Sequence, residues 1–378
     1  MSSWFWRLLC VAVITGSARA WSFSLIAYNA YGDNPAVTNP ASWSTNAAQL
    51  QALGRQLIYL NPDVVTFVEI PQPYCYEMPD FVAAYLPGYY LATNSIGDGF
   101  LMSAVVSRYP ITRSASYLHG TSLAPFGAAG HNFTRDLFEA QIALPGFSQP
   151  FHSFVTHLKA SSDAVSMARR GAEAGAISNF FVTTFLPGTN GSHPYTLSGD
   201  FNEDINRSSN TNYPIQRLVN SATGLQLTTP VNPLTPPPNN DLTLDIQTTL
   251  TVRFDYILPC PLLFSNIAGS QVFRTDLLSP TPPGLLKFDD QTSSDHLPVI
   301  MNFNNPYNPP FHVLSVQVTN QTVALTWESS AGRQYVIYAS ADLASWSPLA
   351  TNTATGPNLA FSTAATPGKR FFRIYRVP

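Results

Sequence analysis

The sequence predicts an α+β protein with two mixed β-sheets packed face to face, helices on their outer sides, and a small all-β sandwich domain at the end. Short apolar runs of strand length recur as far as Asn304. Segments with the apolar spacing of helices interrupt these runs, which is typical of sheets covered by helices. After the Pro/Asn-rich stretch 305–311 the pattern changes to short alternating strands, which indicates a separate β domain.

The composition is that of a folded protein with a nearly neutral surface. Of 378 residues, 45% are apolar and only 11% are charged, with 32 prolines and a net charge of -3. A chain of this length can bury a large core and divide into two domains. No basic block calls for a nucleic-acid partner, although a bound divalent cation would change the local field.

The first twenty residues have the features of a signal peptide. Arg7 precedes the short apolar run 8–14, and Ala18-Arg19-Ala20 offers small residues where a signal peptidase cuts. The run is too short to span a bilayer, and no later stretch is long enough. We therefore expect cleavage after Ala20 and export, to the periplasm or the extracellular space. The predicted divisions are the signal peptide 1–20, a first domain 21–304, a linker 305–311 and a β module 312–378.

Two cysteines, Cys75 and Cys260, remain after this cleavage. Export would allow a disulfide between them. Two separate buried thiols fit the sequence equally well.

The spacing of apolar residues predicts the helices and strands of the first domain. Leucines at 50, 53, 57 and 60 have the spacing of one helix face and predict a helix over 44–60, which Pro62 ends. A second helix is expected at 162–181, and residues 205–250 are expected to form loops. Apolar runs predict strands at 22–29, 64–69, 100–106, 136–144, 151–156, 195–200, 254–258 and 296–301.

Residues 198–202, Ser-Gly-Asp-Phe-Asn, carry a local signal for chemistry. In extended backbone, residues i and i+2 point the same way, so Asp200 and Asn202 would share one small volume. A carboxylate that takes a proton from water, beside an amide that holds that water, is half of a hydrolytic site. Gly199 would let the backbone turn as the strand ends. The alternative is a plain turn, since these residue types all favour turns.

Polar residues stand at corresponding positions of the predicted strands. The ends of apolar runs carry Asn29, Glu69, His157 and Asp200, and the starts carry Asp255, Asp295 and His296. If the last two strands run opposite to the first four, all these side chains reach one rim of a mixed sheet. Open sheets carry ligand sites at such rims. Each residue alone also fits an ordinary strand-end side chain.

Together these segments resemble the endonuclease/exonuclease/phosphatase family, which includes pancreatic-type deoxyribonucleases, abasic-site endonucleases, neutral sphingomyelinases and inositol-phosphate phosphatases. The matching motifs, in the family's order, are Ala27-Tyr-Asn29, Pro62-Asp-Val-Val with Val68-Glu69, Ser107-Arg-Tyr-Pro-Ile111, Thr156-His157-Leu-Lys-Ala, Ser198-Gly-Asp200-Phe-Asn202, Arg253-Phe-Asp255-Tyr-Ile-Leu and Ser294-Asp295-His296-Leu-Pro-Val. Each motif is weak by itself, and the set carries the resemblance. It spans Trp21 to Asn304 and implies a four-layer αββα sandwich.

The resemblance implies a metal site and a base. Glu69 and Asn29, with Asp295 close by, would hold a hard divalent cation, because their ligand atoms are oxygens. Mg²⁺ is expected, with Mn²⁺ or Ca²⁺ as alternatives. Asp200 would orient or deprotonate the attacking water, and Asn202 would hold that water or a phosphate oxygen.

The resemblance also implies groups that act on the phosphate. His296 would donate to a non-bridging oxygen, with Asp255 fixing its tautomer, and His157 would be a second donor. For each histidine the alternative is a side chain satisfied at a strand end. Arg135 would contact phosphate, or else form a plain ion pair with Asp136.

The resemblance and the signal-peptide pattern together imply a secreted, metal-dependent phosphodiesterase, expected to be a monomer, with nucleic acid as the first substrate. The alternative substrates are a sphingomyelin-type phospholipid and a phosphate monoester. The alternative of another class is a non-catalytic adhesion or binding protein that keeps the fold. The loops 112–134 and 205–250 carry few Lys or Arg, so attraction to a nucleic-acid backbone would be weak.

The C-terminal module has the alternation of a small β-sandwich. It resembles fibronectin-like modules of exported bacterial proteins at 325–327, 335–338, 342–346 and 370–375. Trp327 and Trp346 would bind a glycan or a cell-surface partner, or else pack in the core. Strands are expected at 313–318, 322–327, 334–338, 360–363 and 371–375.

Overall fold

The computed structural model divides the chain into two compact units. Phe23–Pro306 forms the larger unit, and the smaller one contains the residues from Tyr307 onward together with strand β1 (Val11–Ile14). The predicted signal peptide apart from β1, and linker positions 308–310, lie outside the described residues. The structure describes residues 11–14, 22–32, 44–45, 47–94, 96–206, 214–307, 311–319, 321–365 and 370–377.

The described part of the larger unit contains two mixed sheets. The strands are β2 (Phe23–Asn29), β3 (Val64–Pro71), β4 (Tyr90–Thr93), β5 (Leu101–Ser107), β6 (Ile111–Tyr117), β7 (Leu137–Ile142), β8 (Phe151–Thr156), β9 (Tyr195–Asp200), β10 (Asp255–Pro259), β11 (Ile267–Val272) and β12 (Val299–Phe303). The spatial order is β11-β12-β2-β3-β5-β4 in the six-stranded sheet and β10-β9-β8-β7-β6 in the five-stranded sheet.

Helices lie between these strands in the chain. They are α1 (Ala48–Leu60), α2 (Met78–Tyr85), α3 (Ala164–Phe180), α4 (Leu186–Gly188), α5 (Pro214–Leu218), α6 (Pro261–Phe264) and α7 (Asp289–Ser293). Among the residues described, no helix has the length and hydropathy needed to cross a membrane.

The side chains of strand β2 pack alternately into two different apolar clusters. Leu25 and Ala27 belong to the apolar cluster between the sheets, whereas Ile26 and Tyr28 belong to the cluster beneath α1 and α2. This alternation is the two-residue period of a strand buried on both faces. Helix α3 contributes Ile177 to the first of these clusters, which also contains side chains of the five-stranded sheet. The layers are therefore helix, sheet, sheet and helix, which confirms the predicted fold class.

The strand directions bring the predicted rim together. Each sheet has one parallel pair, β2 with β3 and β8 with β9. β12 runs antiparallel to β2, and β10 runs antiparallel to β9, which meets the condition on which the predicted rim depends. A hydrogen bond between Asn29, at the end of β2, and Asp200, at the end of β9, joins the corresponding rims of the two sheets.

Three strands of the larger unit, β4, β6 and β11, are absent from the sequence prediction. Each lies at an edge of its sheet. An edge strand such as β6 carries several exposed or half-buried side chains. Its sequence therefore lacks the apolar run that marks a central strand.

Strand β12 begins at Val299, three residues after the predicted start. His296 instead forms an isolated bridge with Leu244, and the Leu297 N–H donates to the carbonyl of Thr243 at 2.8 Å. Part of the segment 205–250, predicted as loop, therefore supports the backbone that carries His296.

The smaller unit is a β-sandwich module. Trp327 is buried in its core beside Tyr335, whereas Trp346 is partly exposed and lies against the guanidinium group of Arg373, 4.8 Å from its ring centre. The sheets are β13-β14-β17 and β1-β18-β15-β16, and the sequence predicts all these strands except β1 and β16. The bounds are β13 (Val313–Thr319), β14 (Thr322–Glu328), β15 (Gln334–Ser340), β16 (Ser347–Thr353), β17 (Asn358–Ala364) and β18 (Arg370–Arg376).

The two cysteines of the larger unit are free thiols. Cys75 packs against the cluster beneath α1 and α2, whereas Cys260 is buried in the cluster between the sheets. Of the two alternatives left by the sequence, the structure has separate thiols.

Candidate active site

Asp200 lies at the centre of the rim where β2, β8 and β9 end. Its Oδ2 accepts a hydrogen bond from Asn29 Nδ2 at 3.1 Å and lies 3.7 Å from Nε2 of both His157 and His296. The residue is 1% exposed. Burial raises the pKa of Asp200 to about 7, although the positive charge of His296 opposes this shift.

Gly199 sets the close approach of β9 to β8. A Cβ at this position would lie 2.0 Å from the carbonyl oxygen of Thr156, and its φ of +133° is disfavoured for other residues. Gly199 lies within β9 rather than in the predicted turn. A glycine is needed here because a Cβ would not fit between β9, which ends at Asp200, and the backbone of Thr156, which precedes His157.

Asn202 reaches the site through a turn after β9. Its φ is +52°, and its backbone N–H donates to Asp200 Oδ1 at 2.7 Å. Its Nδ2 donates to the Leu158 carbonyl at 3.2 Å and lies 3.0 Å from His157 Nε2. Asp200 and Asn202 do share one volume, but a left-handed turn, and not the alternation of an extended strand, brings them together.

His296 and Asp255 form a buried pair beside Asp200. His296 Nδ1 lies 2.7 Å from Asp255 Oδ2, and the register of β9 and β10 places Asp255 opposite Asp200. Burial alone would lower the pKa of His296, but the Asp255 carboxylate, with help from Asp200, outweighs burial and raises that pKa well above its ordinary value. The imidazole is therefore protonated at neutral pH, with Nε2–H on the side of Asp200.

His157 follows β8 and is buried on the other side of Asp200. Its Nε2 lies 3.6 Å from Glu69 Oε1. Burial, followed by the positive charges of Arg135 and His296, lowers the pKa of His157 well below its ordinary value. The ring is therefore neutral, and its Nε2 accepts from the Asn202 amide. The predicted role of His157 as a second donor to phosphate stays a prediction, and it requires that amide to turn away and Nε2 to carry the proton of the ring.

Arg135 is held by the protein on two sides. Its Nε lies 3.1 Å from Asp98 Oδ2, and its Nη1 donates to the carbonyl oxygens of His157 and Leu158. Its ion pair is therefore with Asp98, and the alternative of a plain pair with Asp136 is wrong. Contact between Arg135 and substrate stays a prediction, while its hydrogen bonds hold the backbone at His157.

Asp136 is a buried carboxyl group with its own effect on stability. It accepts a hydrogen bond from Asn94 at 3.0 Å, yet burial raises the pKa of Asp136 to about 6. A carboxyl group whose pKa is higher in the folded chain binds its proton more tightly there, so the contribution of Asp136 to the free energy of unfolding rises as the pH falls from about 7 to about 4. We expect Asp136→Asn to raise the free energy of unfolding at about pH 8 by up to about 3 kcal/mol, and to change it little near pH 4.

Urea unfolding of both proteins across this pH range measures the effect. Asp80→Asn, which alters an exposed carboxylate on α2, is the matched control. Parallel stability profiles for the wild-type protein and Asp136→Asn would contradict the expectation.

Glu69 stands near the end of β3 in an unusual conformation. Its φ is +59°, and the register between β3 and β5 shifts from Phe67 to Ile70, which marks a β-bulge. Bulges re-aim side chains next to functional sites. A Cβ on Gly32 would lie 2.0 Å from the Glu69 carbonyl, so this glycine lets the backbone after β2 pack against the bulge.

Asn29 and Asp295 complete the predicted cation set. Asn29 is fully buried, whereas the Asp295 side chain is 19% exposed and its Oδ1 lies 4.0 Å from His296 Nε2. Ser294 links Asn29 to the backbone of His296, because its hydroxyl donates to the Asn29 carbonyl at 2.8 Å and accepts from the His296 N–H at 2.9 Å. The sequence prediction assigns no role to Ser294, although its place in the Ser-Asp-His motif was a usable signal.

The rim has a surplus of carboxyl groups, which fits a divalent cation. Ligand atoms of Glu69, His157 and Asp200 lie within 4.8 Å of one another, as do those of Asp200, Asp255 and His296. A buried carboxylate without a paired cation is costly, and the raised pKa of Asp200 reflects this cost. Oxygen donors with one imidazole suit Mg²⁺, Mn²⁺ or Ca²⁺. Asp295 belongs to neither group and stands at their edge.

Comparisons with known proteins bear on the fold. No protein-family model matches the sequence, and the curated proteins give no significant match. Humanized D. rerio TDP2 is 15% identical, with a TM-score of 0.50 over 75% of this chain and 99% of that chain. TDP2 from C. elegans is 14% identical, with a TM-score of 0.50 over 75% of each chain.

A bacterial structure gives the same result. The endonuclease/exonuclease/phosphatase from Bacteroides vulgatus is 14% identical, with a TM-score of 0.50 over 74% of this chain and 98% of that chain. At this level of identity the likeness concerns the fold. Together with the two mixed sheets between layers of helices, it shows that the larger unit of this chain has the endonuclease/exonuclease/phosphatase fold.

Proposed function

We propose that this chain is a metal-dependent phosphoester hydrolase that cleaves a phosphodiester by in-line attack of water. The proposal rests on one observation, which is that Asp200, Glu69 and the Asp255–His296 pair lie together at one rim. Glu69 and Asp200 each lie within 4 Å of His157 Nε2. The His296 ring lies within 4 Å of both Asp200 and Asp255. A buried base, a protonated imidazole and a carboxylate that can bind a cation are the groups that such hydrolysis needs. The shared fold supports the same reaction class.

Asp200 is the proposed base. Its ionised form takes the proton of the attacking water, while Asn29 and the backbone N–H of Asn202 hold its two oxygens in place. The amide of Asn202 is proposed to hold that water or a phosphate oxygen. Because the pKa of Asp200 is about 7 without metal, activity should fall in acid, and a nearby cation would shift this limb to lower pH.

His296 is the proposed donor to a non-bridging phosphate oxygen. Asp255 accepts from its Nδ1, which leaves Nε2–H to face the charge that develops on the phosphate. His157 borders the same volume from the other side of Asp200. His296 is set in place by Asp255 before substrate arrives, so it loses little freedom during reaction.

Glu69 is the proposed main ligand of a divalent cation, with Asn29 and Asp295 beside it. Mg²⁺ is the first expectation, and Mn²⁺ or Ca²⁺ are the alternatives. When bound, such a cation neutralises charge on phosphate oxygens and polarises water. The His157 and Asp200 atoms near Glu69 support this placement.

Nucleic acid is the first substrate to test, although the two arginines near the rim are already paired with carboxylates. Arg135 is paired with Asp98, and Arg170 is paired with Glu203 at 3.0 Å. Paired arginines add little attraction for a phosphate backbone. A sphingomyelin-type phospholipid and a phosphate monoester are therefore the competing substrates.

A panel of phosphoesters tests the proposal. The purified protein should cleave plasmid DNA or bis(p-nitrophenyl) phosphate with Mg²⁺, Mn²⁺ or Ca²⁺, and EDTA should abolish the activity because the surplus carboxyl groups then lack their cation. Release of phosphocholine from sphingomyelin, or of phosphate from monoesters, would identify a competing substrate instead. If no ester were cleaved and calorimetry detected no cation binding, the non-catalytic alternative would replace the proposal.

We also propose that the protein is exported as a monomer and that its C-terminal module binds a glycan or a cell-surface partner. The pattern of residues 1–20 supports export, and the proposed cleavage after Ala20 would remove strand β1, which pairs with β18 in the uncleaved chain. The partly exposed Trp346, stacked on Arg373, supports a binding surface on the module. In an exporting host, the N-terminus of the recovered protein should be Trp21, and recovery only of chains that begin at Met1 would contradict cleavage.

A further inference from the structure

Strand β1 occupies one edge of the C-terminal module and has no part in the proposed mechanism. Its four residues, Val11–Ile14, run parallel to β18, alongside Arg370–Arg373. On its other side β18 pairs with β15. Cleavage after Ala20 would remove β1. In the mature module β18 would then be an edge strand, with backbone groups unpaired along that edge.

This edge lies on the same side of the sandwich as β13. Strand β16 ends at Thr353 and β17 begins at Asn358, so a short loop joins these two edge strands and they lie on one side. The remaining edges, β13 and β1–β18, therefore share the opposite side. In agreement with this, the guanidinium group of Arg376 in β18 lies 5.5 Å from the ring centre of Phe311, which precedes β13.

Two valines of β13 show that this side of the sandwich is not closed. Val316 lies opposite Leu325, and Val318 lies opposite Val323. Both of these partners are buried in the core of the module, and opposed residues of neighbouring strands face the same side of a sheet. The two valines therefore face the interior, yet they are 39% and 45% exposed. A strand longer than β1 on this side would cover them.

The charge of the module indicates what kind of strand fits this edge. From residue 312 onward the sequence has five Lys or Arg residues and two acidic residues, a net charge of +3, although the whole chain has -3. Three of the arginines, Arg370, Arg373 and Arg376, belong to β18 itself. Acidic flanks on an added strand would be attracted, and basic flanks repelled. The segment that pairs with β18 in the structure, Val-Ala-Val-Ile, is apolar and uncharged.

We propose that removal of residues 1–20 opens the edge of β18, and that this edge binds an extended apolar strand with acidic flanks from a cell-surface protein. The strand runs parallel to β18, as β1 does, and its backbone completes the sheet by hydrogen bonds. The proposal rests on the proposed export and cleavage, and it names the cell-surface partner of the module by its chemistry. It does not depend on phosphoester hydrolysis.

Peptide binding to the mature protein, the exported chain that begins at Trp21, tests the edge directly. The probe is a fluorescent peptide, Glu-Glu-Leu-Ser-Val-Ala-Val-Ile-Thr-Glu-Glu, in which acidic flanks surround the β1 sequence and serine replaces Cys10. The mature protein should bind it saturably in fluorescence anisotropy. The chain that keeps residues 1–20 should bind it about tenfold more weakly or less, because β1 already occupies the edge. Amide hydrogen exchange of β18 should slow on binding, which would distinguish this strand from a site at Trp346.

Substituted peptides test the register and the charge. Val13 lies opposite the buried Phe372, and Ala12 lies opposite the half-buried Phe371. Aspartate at the Val13 position of the peptide would bring a charge to the core side, so binding should weaken by about tenfold or more. Aspartate at the Ala12 position should be tolerated. Lysines in place of the glutamate flanks should weaken binding by about fivefold at low salt.

A substitution in the protein tests the open side of the sandwich. Val318→Asp should weaken binding of the peptide by about fivefold or more, through loss of apolar contact and repulsion of the acidic flanks. Leu349→Asp is the matched control, because it changes an apolar residue of β16 that is 37% exposed on the other side. Neither variant should alter kcat for phosphoesters, since β13 and β16 belong to the smaller unit.

Four results would overturn the strand proposal. They are no saturable binding by the mature protein, equal binding by the chain that keeps residues 1–20, equal binding of the two aspartate peptides, and dimerisation of the mature protein that excludes the peptide, which would make a second copy the occupant. Recovery only of chains that begin at Met1 would overturn it together with the cleavage.

An activity assay on the same samples separates this proposal from the hydrolase. Cleavage of bis(p-nitrophenyl) phosphate without peptide binding would reject the strand site and retain the hydrolase. Peptide binding without cleavage of any ester would retain the strand site and reject the hydrolase.

Discussion

Asp200→Ala should lower kcat for phosphoester hydrolysis by about 10³-fold, the scale of a lost general base. Both oxygens of Asp200 are held in place, Oδ2 by Asn29 and Oδ1 by the Asn202 N–H, so the carboxylate needs no reorganisation before it takes a proton. The variant should still fold, because burial already disfavours the charge of this carboxyl group. Steady-state kinetics with saturating metal and substrate, together with circular dichroism, measures both effects.

Two further variants show whether the loss of kcat comes from the missing proton acceptor. Asp200→Asn keeps the shape of the side chain but cannot accept the proton, so its kcat should fall nearly as far. Asp80→Ala removes an exposed carboxylate on α2 and should have wild-type kcat. Wild-type turnover by Asp200→Ala in metal-replete buffer would refute the assigned base.

His296→Ala should lower kcat by about 10²–10³-fold, since it removes a preorganised donor to the charge on phosphate. The pH dependence is more specific. His296 acts when protonated, so activity should decline as the pH rises through its raised pKa. Asp255→Asn removes the neighbour that most favours the protonated ring, so the alkaline limb should move to lower pH. Profiles of kcat/KM against pH for the wild-type protein and both variants measure these shifts.

Control variants distinguish a catalytic role of His296 and Asp255 from a purely structural one. His312→Ala changes an exposed histidine of the C-terminal module and should leave the profile as it is. If Asp255→Asn lowered activity equally at every pH, Asp255 would have a structural role and not the proposed electrostatic one. Wild-type kcat in His296→Ala would remove His296 from the mechanism.

The candidate site was largely predictable because its residues stand at strand ends. Asn29, Glu69, His157 and Asp200 each follow or close an apolar run, and parallel neighbours bring such ends to one edge. His296 and Asp255 precede strands that run the opposite way. Position in the run, on the condition that the last two strands run opposite to the first four, was thus enough to predict that these side chains meet.

Contacts that depend on loops were not predictable in this way. Arg135 pairs with Asp98 from the turn before β5, and no periodicity relates these two positions. Gly199 looked like a turn residue, but its role depends on the distance to Thr156 in the neighbouring strand. Strands β4, β6 and β11 were missed because edge positions relax the demand for apolar side chains.

The sequence by itself predicted the class of layers and the polar residues at the strand ends, because burial on both sheet faces imposes a period that is visible along the chain. Only the tertiary structure decided the directions of the strands, the ionisation of Asp200 and His296, and the partner of Arg135. These depend on burial, and on distances between segments far apart in the chain, which no local pattern records.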